Sequence, residues 1–156
     1  MSESKLSSPT EKYKMSIELL QPWSTFVLTS ILPSHILKKM IKIIDKILED
    51  KESEQKAGED LEGEIEDEFW IAPNILKREG LIPFFLDMCK LYLTQAALQS
   101  APFTRELVLK EEWFPKLTSM WIISQKDNEY NPIHMHNGDI SGVIYLKIPE
   151  YLPDRK

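Results

Sequence analysis

The pattern of apolar and polar residues predicts helices in the first two thirds of the chain and strands in the last third. From Ser34, which suits a helix N-cap, apolar residues recur with helical spacing as far as Leu48. Pro83 suits the first turn of a second helix, apolar over much of its surface, that ends near Gln99. The segment from Trp23 to Leu32 is rich in Thr, Val, Phe and Ile and suits a short strand or a loop.

Strand signals follow the second helix. The residues from Thr118 to Ser124 predict a strand, and Lys126 to Glu129 predict a turn. Asn137-Gly138 indicates a tight turn, and the residues from Ile140 to Ile148 predict another strand. Helices followed by antiparallel strands indicate the α+β class.

The acidic residues are concentrated in one segment. Residues 49–68 hold 11 acidic and 2 basic side chains, whereas the net charge of the whole chain is −6. Because this segment has few aromatic and β-branched residues, we expect an acidic, flexible loop at about 49–68. A solvated loop is the simpler interpretation, and a partner-binding loop is the alternative.

Composition narrows the class of protein. The chain has 156 residues, of which 42% are hydrophobic and 28% charged, which predicts a soluble globular domain over 15–156 after a disordered tail at 1–14. The acidic balance argues against nucleic-acid binding. No segment suits a signal peptide or a membrane span, and the single cysteine, Cys89, lies in an apolar stretch as a small core residue. We therefore expect a cytoplasmic protein in a reducing compartment.

His134-Met135-His136 is the candidate chemical motif, in a chain with only three histidines. Two imidazoles two residues apart on an extended segment point to the same side, which suits two ligands of one metal ion. The third, His35, falls in the first turn of the first helix, where a cap or surface role is expected. Asp139 could add a carboxylate from the turn or act only as a turn residue.

Several classes of site contain His-x-His. A cupin expects Glu after three or four intervening residues beyond the second histidine, and this chain has Ile140 and Ser141 at those positions, so the match is poor. A metallo-β-lactamase needs Asp two residues after the second histidine and then another His, and the chain has neither. Two histidines hydrogen-bonded in a turn, and the non-haem iron site of an oxygenase, fit the spacing better than either of these classes.

The segment Asn131-Pro132-Ile133-His134-Met135-His136, with Ser141-Gly142-Val143-Ile144-Tyr145-Leu146 after it, resembles bacterial and cyanophage 2-oxoglutarate/Fe(II)-dependent oxygenases. The resemblance covers about residues 113–153. It implies N-terminal helices bracing a partial double-stranded β-helix (jelly roll) whose later strands are absent. It also implies Fe(II) as cofactor and 2-oxoglutarate as co-substrate.

Carried onto this sequence, the resemblance makes His134 the first iron ligand. It puts His136 where the family usually has Asp, with Asp139 as another candidate ligand. Tyr145 could reach the co-substrate carboxylate, although packing is the simpler role. The chain has no His after Pro149, so the family's distal His and the Arg that follows it have no counterpart.

The resemblance therefore implies a fragment of a dioxygenase of unknown substrate, inactive alone. A non-enzymatic phage or interaction protein, binding a partner through the acidic loop or an exposed sheet edge, is the alternative. A cupin-type metal-binding protein is the second.

Overall fold

A computed structural model describes residues 9–21, 25–52, 54–57, 64–101, 105–106, 108, 110 and 112–149. The chain divides into two compact units, each made of two stretches of sequence. Unit 1 comprises Met1–Ile36 and Leu76–Leu117, and unit 2 comprises Leu37–Ile75 and Thr118–Lys156. Two helices cross the division: α2 (Ser34–Glu49) and α3 (Pro73–Arg78).

Unit 1 contains α1 (Pro9–Tyr13), the antiparallel pair β1 (Ile17–Leu20) and β2 (Val27–Ser30), and α4 (Ile82–Gln99). The α1 helix is fixed to α4 because Lys12 Nζ and the Tyr13 hydroxyl both donate to Asp87 Oδ2, at 2.6 and 2.9 Å. The Tyr13 ring also meets Phe84 edge-on, with centroids 4.9 Å apart. Gly80, at φ +66°, adopts the left-handed conformation that ends α3 just before α4.

In unit 2, α2 has the amphipathic character that its spacing predicts. Met40, Ile43 and Ile47 are buried at intervals of three and four residues. Three lysines of the same helix, Lys38, Lys42 and Lys46, are exposed. The core of unit 2 also contains Ala57, Ile65, Phe69, Ile71 and Ile122.

A small sheet forms the other part of unit 2. Strand β3 (Glu68–Trp70) pairs antiparallel with β4 (Trp121–Ile123), with Phe69 opposite Ile122. On its other edge β3 binds residues 55–57, since Ala57 N–H donates to Glu68 O and Trp70 N–H donates to Gln55 O, both at 2.9 Å. The strand is thus hydrogen-bonded on both sides.

The two faces of this sheet differ in chemistry because strand side chains alternate. Phe69 and Ile122 face the core and are 0% and 6% exposed. The register puts four residues on the opposite face, which we call the tryptophan face: Glu68, Trp70, Trp121 and Ile123.

Most predicted elements are confirmed. The two helices occur at Ser34–Glu49 and Ile82–Gln99, the strand expected at 118–124 contains β4, and the segment at 23–32 contains β2. The predicted turn at 126–129 is also present, closed by Glu129 N–H donating to Lys126 O at 3.3 Å, with Asn128 at φ +67°. Sequence patterns did not predict β1 or β3.

The acidic segment is only partly loop. Residues 53 and 58–63 of the expected loop, and 1–8 of the expected tail, lie outside the described residues, while Pro9–Tyr13 of that tail is helical. At the other end of the acidic segment Ile65, Asp67 and Glu68 are buried, and Glu68 opens β3. Residues 64–68 are held by residues 121–130, because Glu64 N–H donates to Tyr130 O at 3.0 Å and Glu68 pairs with Ile123 of β4.

The fold combines helices with two small antiparallel sheets. The predicted strand at 140–148 pairs with no other strand in the described part of the chain. Its side chains still alternate, with Val143 and Tyr145 exposed and Ile144 and Leu146 half-buried. The jelly roll and the single domain stay predictions.

Candidate functional site

His134 and His136 converge as their spacing predicts. Their Nε2 atoms lie 3.1 Å apart, and their rings meet edge-on with centroids 4.6 Å apart. Met135 between them is 96% exposed. Two nitrogen ligands about 2.1 Å from one metal ion, at angles of roughly 90° to 110°, lie about 3.0 to 3.4 Å apart. The separation of the two nitrogens therefore fits adjacent ligands of one cation.

The orientation of the His134 ring is fixed by the backbone. His134 Nδ1 lies 2.7 Å from the carbonyl oxygen of Pro132, so Nδ1 carries the proton and donates it there. In the neutral imidazole this leaves the lone pair on Nε2, the atom that faces His136. Metal-binding histidines commonly have such a carbonyl partner on the other ring nitrogen.

Two arrangements satisfy the contact between the Nε2 atoms. In one, His136 Nε2–H donates a hydrogen bond to His134. In the other, both lone pairs face a bound cation. The first is the turn hydrogen bond that sequence reasoning left open, and the two differ in whether the pair binds metal.

Tryptophans of the tryptophan face support the pair. The Trp121 ring lies against His136, with centroids 5.4 Å apart and planes inclined at 42°. Trp70 meets Trp121 edge-on at 5.6 Å. Because both tryptophans belong to hydrogen-bonded strands, they give the exposed His136 ring a rigid surface to pack against. Side chains alternate between two faces in the strand predicted at 118–124, and this pattern could have predicted that Trp121 and Ile123 share a face that is opposite to that of Ile122.

Glu68 is the unusual residue of the tryptophan face. It is 1% exposed, and neither of its carboxylate oxygens has a hydrogen-bond partner among the residues that the structure describes. Burial raises its pKa, the nearby Glu129 carboxylate raises it further, and the His134 imidazole lowers it. A carboxylate in this state was not predicted from the sequence, in which Glu68 is the last of 11 acidic residues in one segment.

The neighbouring Asp67 is in the opposite state. Its carboxylate accepts from Lys51 Nζ at 2.6 Å and lies 3.3 Å from Lys126 Nζ. The hydrogen bond from Lys51 is the main reason why the pKa of Asp67 is lowered, although burial acts against it. The pKa values of these two adjacent acids thus shift in opposite directions, because among the described residues only Asp67 meets cationic partners.

The other residues singled out in the sequence are not joined to the pair. Asp139 and His35 are exposed, and Tyr145 is 78% exposed. Cys89 is half-buried, and burial raises the pKa of its thiol, as expected of an unreactive cysteine. Among the described residues, no group of three or more His, Cys, Asp or Glu side chains has metal-binding geometry. The roles of Asp139 and Tyr145 stay predictions.

Comparison with protein-family models, curated proteins and solved structures gives no match. No helix within the described ranges is long and apolar enough to cross a membrane.

Proposed function

We propose that this chain carries part of the iron site of a 2-oxoglutarate/Fe(II)-dependent oxygenase, with His134 and His136 as two ligands. The observation that supports the proposal is the 3.1 Å separation of the two Nε2 atoms. The hydrogen bond from His134 Nδ1 to Pro132 O adds to it, because it leaves Nε2 free to bind metal. The family resemblance around the histidines supports Fe(II) as the metal.

In such enzymes the bound iron would let dioxygen oxidise 2-oxoglutarate to succinate and CO2 and hydroxylate a substrate, with one oxygen atom entering each product. The residues of this chain would hold the cation through two imidazoles and orient them, His134 through the Pro132 carbonyl and His136 through the Trp121 ring. Two protein ligands leave several coordination positions for other groups.

Anaerobic titration with Fe(II), and with Co(II) as a spectroscopic substitute, tests the proposal. We expect one cation per chain, lost in the double variant His134→Ala, His136→Ala. The matched control is His35→Ala, since His35 is exposed on the first turn of α2 and should not affect binding. Absence of binding by the wild-type chain would refute the proposal and leave the hydrogen-bonded turn.

Turnover gives a second readout. We expect this chain to form no succinate from 2-oxoglutarate, because the described residues provide no third ligand with the right geometry. Succinate formation that His134→Ala abolishes would show instead that the chain holds a complete site.

A partner-binding protein is the second candidate, favoured by the extended segment 140–148. Val143, Tyr145 and Ile148 are 77%, 78% and 60% exposed. An unpaired, alternating segment of this kind can add to the sheet of another protein. Lys147 binds Asp45 of α2 through an ion pair, which holds the segment in place. Stable association with a partner that Val143→Lys, Tyr145→Lys abolishes, without any metal binding by the wild type, would favour this candidate.

A further inference from the structure

The burial of the Glu68 carboxylate costs free energy that no hydrogen bond among the described residues offsets. A buried polar group without a hydrogen bond costs about 1 to 3 kcal/mol, and more when it is charged. Such groups are rare in folded proteins, and each needs a physical explanation. Glu68 has none among the described residues, although its neighbour Asp67 has two lysines within 4 Å.

The position of Glu68 relates it to the histidine pair. Glu68 and Trp70 are two residues apart on β3, and Trp70 is opposite Trp121 on β4. All three therefore share the tryptophan face, and the ring contact between Trp70 and Trp121 agrees with this. His136 packs on the Trp121 ring, and His134 is near enough to act on the Glu68 carboxylate electrostatically.

A cation bound by the histidine pair would need a negative charge nearby, and Glu68 could supply it. Two neutral imidazoles leave a divalent cation with both of its positive charges. A buried carboxylate nearby can balance one of them, and in protein metal sites hydrogen-bonded outer partners are common. The titratable groups that act on Glu68 are the Glu129 carboxylate and the His134 imidazole, so neither brings it a permanent positive charge.

We propose that Glu68 supplies the counter-charge for a divalent cation bound by His134 and His136, and that its buried carboxylate acts from an outer position rather than as a ligand. This inference rests on the proposed function, since it requires metal at the histidine pair. An outer position is favoured over direct ligation because Glu68 forms no three-membered ligand group with the histidines. The negative charge would then come from β3, far from the histidines in sequence, rather than from the His-x-His segment or Asp139.

Co(II) binding to the full chain, followed by calorimetry and by visible absorption, tests the inference. Glu68→Gln keeps the size of the side chain and removes its charge. We expect it to weaken Co(II) binding about 10- to 100-fold, the range typical of outer-partner mutations. The visible spectrum of the bound Co(II) should change as well, which a merely structural role would not produce. Glu66→Gln is the matched control, because Glu66 is an exposed acid of the same segment paired with Lys126 at 2.5 Å.

The outcomes separate the two proposals. Weaker binding in Glu68→Gln, with Glu66→Gln unchanged, supports the role of Glu68. Binding within threefold of wild type in Glu68→Gln, while His134→Ala, His136→Ala loses it, overturns that role and leaves the histidine pair as a metal site. Absence of binding by the wild type overturns both proposals. Urea denaturation of each variant shows whether a loss of affinity comes from unfolding.

Discussion

Replacement of Glu68 by glutamine should stabilise the protein at neutral pH in the absence of metal. Glu68 is 1% exposed and its carboxylate has no hydrogen-bond partner among the described residues. Glutamine has nearly the same size and cannot ionise, so it removes the cost of a buried charge. We expect a gain in the free energy of unfolding of about 1 to 3 kcal/mol from the loss of the charge alone, because a tenfold change in proton affinity is worth about 1.4 kcal/mol. For a chain of this size, each kcal/mol should raise Tm by about 2 to 4 °C.

The gain should depend on pH in a defined direction. The pKa of Glu68 is raised in the folded protein, chiefly by burial, so the folded state holds this proton to higher pH than the unfolded chain does. Wild-type stability therefore falls as pH rises from the ordinary glutamate pKa, about 4.3, through the folded pKa. Below the ordinary pKa both states are protonated, and the advantage of glutamine should disappear.

Urea denaturation at about pH 4, where the difference should be small, and at about pH 7.5, where it should be larger, measures this effect. Glu66→Gln is again the control, and its effect should have the opposite sign, because the hydrogen bond from Lys126 lowers the pKa of Glu66. A Glu68→Gln variant that is less stable than wild type at the higher pH would refute the reasoning. It would mean that the ionised carboxylate has a favourable partner.

Three further predictions concern the packing of each unit. Asp67→Asn should lower the free energy of unfolding by about 1 to 2 kcal/mol at neutral pH, because the group that accepts the hydrogen bond from Lys51 is no longer charged. Urea denaturation over a series of pH values should show this difference vanish as pH falls through the lowered pKa of Asp67. Phe69→Ala should cost about 3 to 5 kcal/mol, because the ring is 0% exposed, and a loss below 1 kcal/mol in chemical denaturation would show that the ring is not core. Tyr92→Phe should cost about 0.5 to 1.5 kcal/mol through the lost hydrogen bond to Phe26 O, with an unchanged Tm in calorimetry as the contrary result.

Elements with a strong local pattern could be predicted from the sequence. The α2 helix repeats apolar residues at intervals of three and four and has lysines on its exposed face. The α4 helix is apolar on most sides after Pro83, and its predicted end at Gln99 is confirmed. Such patterns can be recognised in the sequence because residues that are neighbours on a helix surface are only three or four positions apart.

The histidine pair of the candidate site could also be predicted from the sequence. Side chains two residues apart on extended backbone share a side whatever surrounds them, so the convergence of His134 and His136 follows from their spacing. The hydrogen bond from His134 to Pro132 O is also local, spanning two residues.

The rest depended on tertiary structure. Strand β3 has only three residues and follows an acidic segment, so its local sequence indicates a solvated loop. It becomes a strand because its backbone groups are satisfied by β4 and by residues 55–57, the former more than 50 residues away in the chain. That long-range pairing buries Glu68 and puts it on the face where Trp121 supports His136. The two helices and the convergence of the histidines thus follow from local sequence, whereas long-range strand pairing selects Glu68 as the acid that is buried with no hydrogen-bond partner among the described residues.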